Sequence, residues 1–250
     1  VFADVEAPPT IGLPDSFAKD GIVVGEGSEP PAILVFGDSH AAVMGEALRT
    51  AAERLGHRIA FYCMTGGVIS PYVEIPVRRK PPNKVLSSEE QYQFDLARLA
   101  VIEKWRPRVI VLCARWSIYH EKGTAFLEYL DQKGIKAILV EQPPELATVG
   151  DNSVIQYLCW KGVSPAPGIE RLLPQGHQSR IQAVNARLRE IVALHPDCAI
   201  LPLYDLYARG DQALVLDGRE VIYLDDDHLT TDGTLFALPR ITACLAEALE

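Results

Sequence analysis

The sequence predicts an α/β protein, a three-layer α/β/α sandwich around a central, mainly parallel sheet. Three observations predict it. Uninterrupted apolar runs, such as AILVF at 32–36 and VIVLC at 109–113, suit strands buried on both faces. Stretches of helical pattern separate these runs, and parallel neighbours need such crossovers to connect. At 250 residues with 48% hydrophobic side chains, the chain is long and apolar enough to bury one sizeable core.

The elements follow in order. Residues 1–30 are rich in Pro, Gly and acids with little periodicity, and read as a linker or N-terminal extension. The domain then occupies 31–250 and starts with the strand 32–36, which runs into Gly37-Asp38-Ser39-His40 and small residues that suit a helix over 40–55. RIAFYC at 58–63 is a second strand, followed by a long loop and a helix over 88–105. The strand 109–113 precedes a helix over 124–133, and KAILVE at 136–141 precedes a Pro-Pro loop. An amphipathic helix over 178–194 leads to the apolar CAILPL at 198–203, and a last helix follows His228. The Pro-rich segments 71–82 and 164–174 read as excursions over the rim of a site. In such sheets ligands bind beyond the carboxyl ends of the strands. Gly37-Asp38-Ser39-His40 sits in the first such turn.

Composition excludes several classes. A net charge of −9 argues against gripping nucleic-acid phosphates, which takes clustered Lys and Arg; the run Arg78-Arg79-Lys80 lies among prolines and reads as a solvated loop. No apolar stretch reaches the roughly 18 to 20 residues of a membrane-spanning helix. The start, VFADVEAPPT, has neither an initiator Met nor a signal-peptide pattern, as expected of a mature form or an excised domain. Five cysteines without CxxC spacing speak against zinc. Cys113 and Cys198 read as small hydrophobes, while Cys63 and Cys159 are candidates for a disulfide. No GxGxxG or GxxxxGK[ST] opens a helix, so nucleotide binding has no support.

A serine hydroxyl becomes a competent nucleophile when a base takes its proton and a third group orients that base. Ser39 is the candidate nucleophile, and His228 in YLDDDHLTTDGT is the candidate base. His40 is adjacent to Ser39, and neighbouring side chains at a helix start point apart. Asp225, three residues before His228, can return to the imidazole Nδ1–H on a tight turn. Asp226 and Asp227 share a like-charge cluster, which should turn at least one of them to solvent. The same acids with His228 also suit a divalent cation, but a metal leaves Ser39 unexplained, so no metal or other cofactor is expected. Ser39 as a helix N-cap is compatible with its role as nucleophile.

The GDSH block after the first strand and Asp-x-x-His before the last helix resemble the first and last signature blocks of the SGNH (GDSL-like) hydrolases. LVFGDSHA with YLDDDHLTTDG resembles, more narrowly, the SGNH domains that follow the membrane-embedded acyltransferase-3 domain of bacterial envelope O-acyltransferases. The resemblance runs from about residue 31 to the end and implies a catalytic domain with a flavodoxin-like sheet. It also implies an oxyanion hole from the Ser39 N–H and a glycine after the second strand, Gly67 or Gly66 in CMTGGVISP. The family's third block brings an Asn, whereas this chain reads VLCARWSIY. Arg115 or a backbone group is the candidate replacement, and Arg115, Trp116 and Tyr119 are candidates for holding an anionic group or stacking on a sugar. Asp38 is expected to bond loop amides or to line the substrate site.

The resemblance further implies acyl transfer onto a cell-envelope glycan, with an acyl donor and a glycan acceptor as partners. It implies a periplasmic or extracytoplasmic location, tethered to the inner membrane through an acyltransferase-3 domain. An esterase is the alternative if water replaces the glycan hydroxyl, and the missing Asn motivates a third reading, a weakened glycan-binding module.

Overall fold

A computed structural model describes residues 21–63, 88–117, 124–147 and 153–250. Along the chain lie β1 (Ile22–Val24), β2 (Ile33–Gly37), α1 (Ser39–Val43), α2 (Gly45–Arg54), β3 (Ile59–Cys63), α3 (Ser88–Trp105), β4 (Val109–Cys113), α4 (Thr124–Lys133), β5 (Lys136–Val140) and β6 (Glu145–Leu146). They continue as α5 (Val154–Trp160), β7 (Glu170–Gly176), α6 (Gln178–Leu194), β8 (Cys198–Leu201), α7 (Tyr204–Tyr207), β9 (Ala208–Arg209), β10 (Gln212–Asp217), β11 (Glu220–Val221), α8 (Thr231–Phe236) and α9 (Leu238–Leu249).

Successive strand residues point to opposite faces, and in β2, β3 and β4 every residue is buried. Both faces are therefore covered. Ile33, Val35, Ile59, Phe61, Val109 and Val111 pack with α2 and α9. Leu34, Phe36, Ala60, Tyr62, Ile110 and Leu112 pack with α3 and α4, through Phe94, Ile102, Phe126 and Leu130. These are the three layers the apolar runs imply.

The sheet order is β1-β3-β2-β4-β5-β8, all parallel except β1. The chain steps from β2 to β3 on one side and then crosses to β4 on the other, so the order reverses at β2. Such a reversal leaves a crevice at the carboxyl ends of the strands. Ser39 leaves β2 there, and Arg115 leaves β4. Gly37 makes the close approach possible: a Cβ on it would lie 1.8 Å from the Cys113 carbonyl oxygen.

Three findings depart from the sequence reading. The edge strand β1 lies inside the stretch 1–30 that read as an extension. A second, antiparallel sheet, β11-β10-β7-β6 with β9 on β10, packs its apolar face into the α2/α9 side of the core. It takes β7 from the segment 164–174, which is a strand rather than a rim excursion over its second half. Its residues are mostly solvent-facing and include Pro174, so no alternating apolar pattern marks it. The two candidates for a disulfide are not paired: both are free thiols, Cys63 buried at the end of β3 and Cys159 exposed on α5.

Candidate active site

Ser39 opens α1 and Asp38 is its N-cap. The buried Asp38 carboxylate accepts the His40 N–H at 2.9 Å and the Arg115 N–H at 3.0 Å. It ties the β2 turn to the β4 turn and is not presented to a substrate. As the first residue of a helix, Ser39 has a backbone N–H without an intrahelical acceptor, available to a ligand at its Oγ.

His228 ends a loop closed at its base by the Tyr223–Leu229 bridge and by the Leu224 N–H on the His228 carbonyl at 2.9 Å. Leu146 N–H donates to Asp226 O and Val154 N–H to Leu224 O, so the loop is also held from β6 and α5. Within it, Asp225 Oδ1 accepts the backbone N–H of Asp227 at 3.0 Å and of His228 at 2.7 Å, an Asx turn. The turn brings the Asp225 carboxylate to 3.0 Å from His228 Nδ1. On the other side of the ring, His228 Nε2 lies 2.8 Å from Ser39 Oγ. Ser39, distant in sequence, thus meets the neighbouring His228 and Asp225 in one hydrogen-bonded line.

Of the two acids expected to turn at least one to solvent, Asp226 is half-buried and Asp227 is enclosed. Asp227 has Oδ1 2.8 Å from His228 Nδ1 and Oδ2 2.6 Å from Arg115 Nη1. His40 Nε2 is 3.5 Å from the same Oδ2, and the two imidazole rings are 4.9 Å apart. The cation on Arg115 overrides the repulsion among the acids. Burial works against a charged His228, but the hydrogen bonds and charges of Asp225 and Asp227 outweigh it and raise its pKa to about 10. Burial likewise works against an ionised Asp227, yet its bonds to His228 and His40 hold it far below the usual carboxylate range. Asp226, without such partners, is raised by burial and by the charges beside it.

Arg115 is committed. Besides Asp227, its Nε donates to Glu145 Oε1 at 2.8 Å, an oxygen that also accepts from Gln142 Nε2 at 2.7 Å and Ser117 Oγ at 3.2 Å. Trp116 packs beside the α3/α4 side of the core and donates its indole N–H to Val140 O at 2.7 Å, so it is anchored rather than offered as a sugar platform. Gly66, Gly67 and Tyr119 lie outside the described residues. Asp227 was set aside by the sequence reading and Glu145 and Gln142 were missed; the one signal for the last two was a polar Glu-Gln-Pro-Pro-Glu directly after a buried strand.

Histidine and carboxylate atoms of His40, Asp227 and His228 are close enough to hold a cation. Arg115 already supplies the positive charge there, so a divalent ion would have to displace a guanidinium. Asp131, His195 and Cys198 form a second such group at the opposite, amino-terminal end of β8, where His195 Nδ1 is 2.7 Å from Asp131 Oδ2.

The family model described as SGNH domain (fused to AT3 domains) matches residues 11–243. No curated protein sequence matches the chain significantly. Among solved structures, the periplasmic domain of a lipopolysaccharide acetyltransferase from Salmonella ser. Paratyphi A superposes with a TM-score of 0.59 at 15% identity, over 88% of this chain and 85% of that one. A protein assigned as an acylhydrolase from Bacteroides fragilis gives 0.53 at 14%, over 89% and 92%. A GDSL-like lipase from Bacteroides thetaiotaomicron gives 0.50 at 13%, over 86% and 88%. At these identities the likeness is one of fold.

Proposed function

The chain belongs to the family of SGNH domains fused to AT3 domains, and from that premise we propose that it transfers an acyl group, most simply acetyl, to a hydroxyl of a bacterial cell-envelope glycan through acyl-Ser39. The superfamily is one of esterases and acyltransferases. One contact carries the assignment of the nucleophile: Ser39 Oγ at 2.8 Å from His228 Nε2, with the opposite ring nitrogen on carboxylate.

Ser39 Oγ attacks the acyl carbonyl as His228 Nε2 takes its proton. Asp225 keeps Nδ1 protonated, which leaves the Nε2 lone pair for Ser39. The tetrahedral oxyanion is received by the Ser39 N–H and, as the family pattern implies, by the N–H of Gly67 or Gly66, since donors aimed at the developing charge lower the barrier. His228 returns the proton to the leaving group as the intermediate collapses to acyl-Ser39. It then deprotonates the acceptor hydroxyl, whose attack releases the acylated product and restores Ser39.

A family fused to AT3 domains implies a membrane-embedded partner domain that delivers the acyl group, and an extracytoplasmic domain tethered to the inner membrane. No described helix is long and apolar enough to cross a membrane, which suits a domain that works beside one. The fold likeness to a lipopolysaccharide acetyltransferase's periplasmic domain is in keeping with an envelope glycan as acceptor. A glycan-binding module alone would have no use for a serine aligned on an oriented histidine.

The test follows p-nitrophenyl acetate turnover by mass spectrometry for the protein and its Ser39→Ala variant, with and without envelope glycan. Acetylated glycan formed only with Ser39 present is expected. Free acetate alone would select an esterase, and equal background rates for both proteins would overturn the assignment of Ser39.

A further inference from the structure

We propose that Asp227 is a second, buried carboxylate orienting His228, and that Arg115, braced by Glu145, is the positioning cation that holds it there. This rests on the reading of His228 as the base.

The two acids beside Nδ1 are not equivalent. The Asp225 side chain is 36% exposed and that of Asp227 6%, so water and salt screen the first far more than the second. Asp225 Oδ1 is also occupied with two backbone N–H groups, which makes Asp225 the loop's brace as well as a partner of the ring. Among the described residues, the Asp227 carboxylate oxygens meet His228, Arg115 and His40 rather than backbone N–H groups.

A buried carboxylate stays charged only with a close partner. Arg115 is that partner, and it is itself fixed from behind. Glu145 takes its Nε, Gln142 and Ser117 fix Glu145, and Asp38 takes the Arg115 backbone N–H. Asn185 on α6 in turn holds Gln142 by both backbone groups, at 3.0 and 2.9 Å. The strut therefore runs from the far helix layer to the imidazole, and its charged end leaves β4 in the third block, where the family pattern has an Asn. This chain has placed a cation there that acts on the histidine's partner, not on an oxyanion. Among the described residues, the titratable and charged groups around His228 are Asp225, Asp226 and Asp227 on its own loop, His40 on α1, and Arg115 with Glu145 beyond Asp227.

The experiment compares Asp225→Asn, Asp227→Asn, the double variant, Arg115→Lys and Arg115→Gln. Each is read by the His228 titration in ¹⁵N-histidine NMR, by kcat and KM on p-nitrophenyl acetate, and by urea unfolding to confirm the fold. Asp227→Asn is expected to lower the His228 pKa by about one unit or more and, compared at a pH where His228 is neutral in both proteins, to lower kcat by about tenfold or more at little-changed KM. Asp225→Asn should retain activity that the double variant loses, and Arg115→Lys should recover most of what Arg115→Gln loses. Should Asp227→Asn prove too unstable, the Arg115 pair and the Asp225→Asn titration decide the matter. A wild-type His228 titration in Asp227→Asn, an Asp225→Asn variant as inactive as the double, or no difference between Lys and Gln at position 115 would overturn the proposal. The NMR titration needs no turnover, so it stands or falls separately from Ser39 chemistry.

Discussion

Asn185→Ala removes a side chain that is 2% exposed and lies far from the reacting atoms. Its Oδ1 accepts the Gln142 N–H at 3.0 Å and its Nδ2 donates to the Gln142 carbonyl at 2.9 Å, doing for the end of β5 what a neighbouring strand would do. Alanine leaves both backbone groups buried and unpaired. At about 1–3 kcal/mol for each such group, the variant should lose about 2–6 kcal/mol, towards the lower end if water enters the space. With a urea m value of about 3 kcal/mol/M, the unfolding midpoint should fall by about 1 M. Ester hydrolysis measured in parallel should also fall while the protein is still folded, because Gln142 fixes Ser117 and Glu145 and, through them, Arg115. A midpoint within about 0.2 M of wild type, with unchanged hydrolysis, would refute the idea that this clamp supports the site.

Gly37→Ala should disable the protein: a Cβ 1.8 Å from Cys113 O must force β2 and β4 apart at a cost of about 1–3 kcal/mol or more, read as a lower urea midpoint and lost esterase activity; wild-type behaviour would contradict the packing. The raised His228 pKa gives opposite trends in rate and stability. Since the base must be neutral, kcat/KM should climb with pH towards about 10, and a plateau already reached at neutral pH would count against it. The stabilisation from charged His228 is fully present below its unfolded value of about 6.5 and is lost as pH rises through the folded value, so urea midpoints of wild type and His228→Gln should converge at high pH. Thiol labelling of native protein should find Cys159 fast, with Cys63 and Cys113 silent because burial pushes their thiols up, and denatured protein should titrate all five without reductant; a shortfall would reveal a disulfide.

The parallel sheet was legible because β2, β4 and β5 are continuous apolar runs, a pattern that follows from burial on both faces. Ser39, His228 and Asp225 were legible because each signal is local: a serine at a strand end, and a carboxylate one tight turn from a histidine. The second sheet was hidden, since β6, β9 and β11 have two residues each and β7 buries only Leu173 fully and contains Pro174. Asp227 was set aside for a different reason. Local charge alone turns at least one of Asp226 and Asp227 outward, and only the fold, by bringing Arg115 from the end of β4, decides that Asp227 is the one held inside. Asn185 carries no local signal and Gln142 only that of a polar residue just after a buried strand, because their pairing is a tertiary contact between β5's end and α6.

The most direct test of the central claim is intact-protein mass spectrometry of the chain quenched in acid during turnover of an activated acetyl ester, with peptide mapping of any adduct. A single added acetyl group on Ser39, absent from Ser39→Ala and accumulating when His228 is replaced by glutamine only at a far lower rate, is the predicted result. Turnover without an adduct on Ser39, or an identical adduct elsewhere in Ser39→Ala, would contradict it.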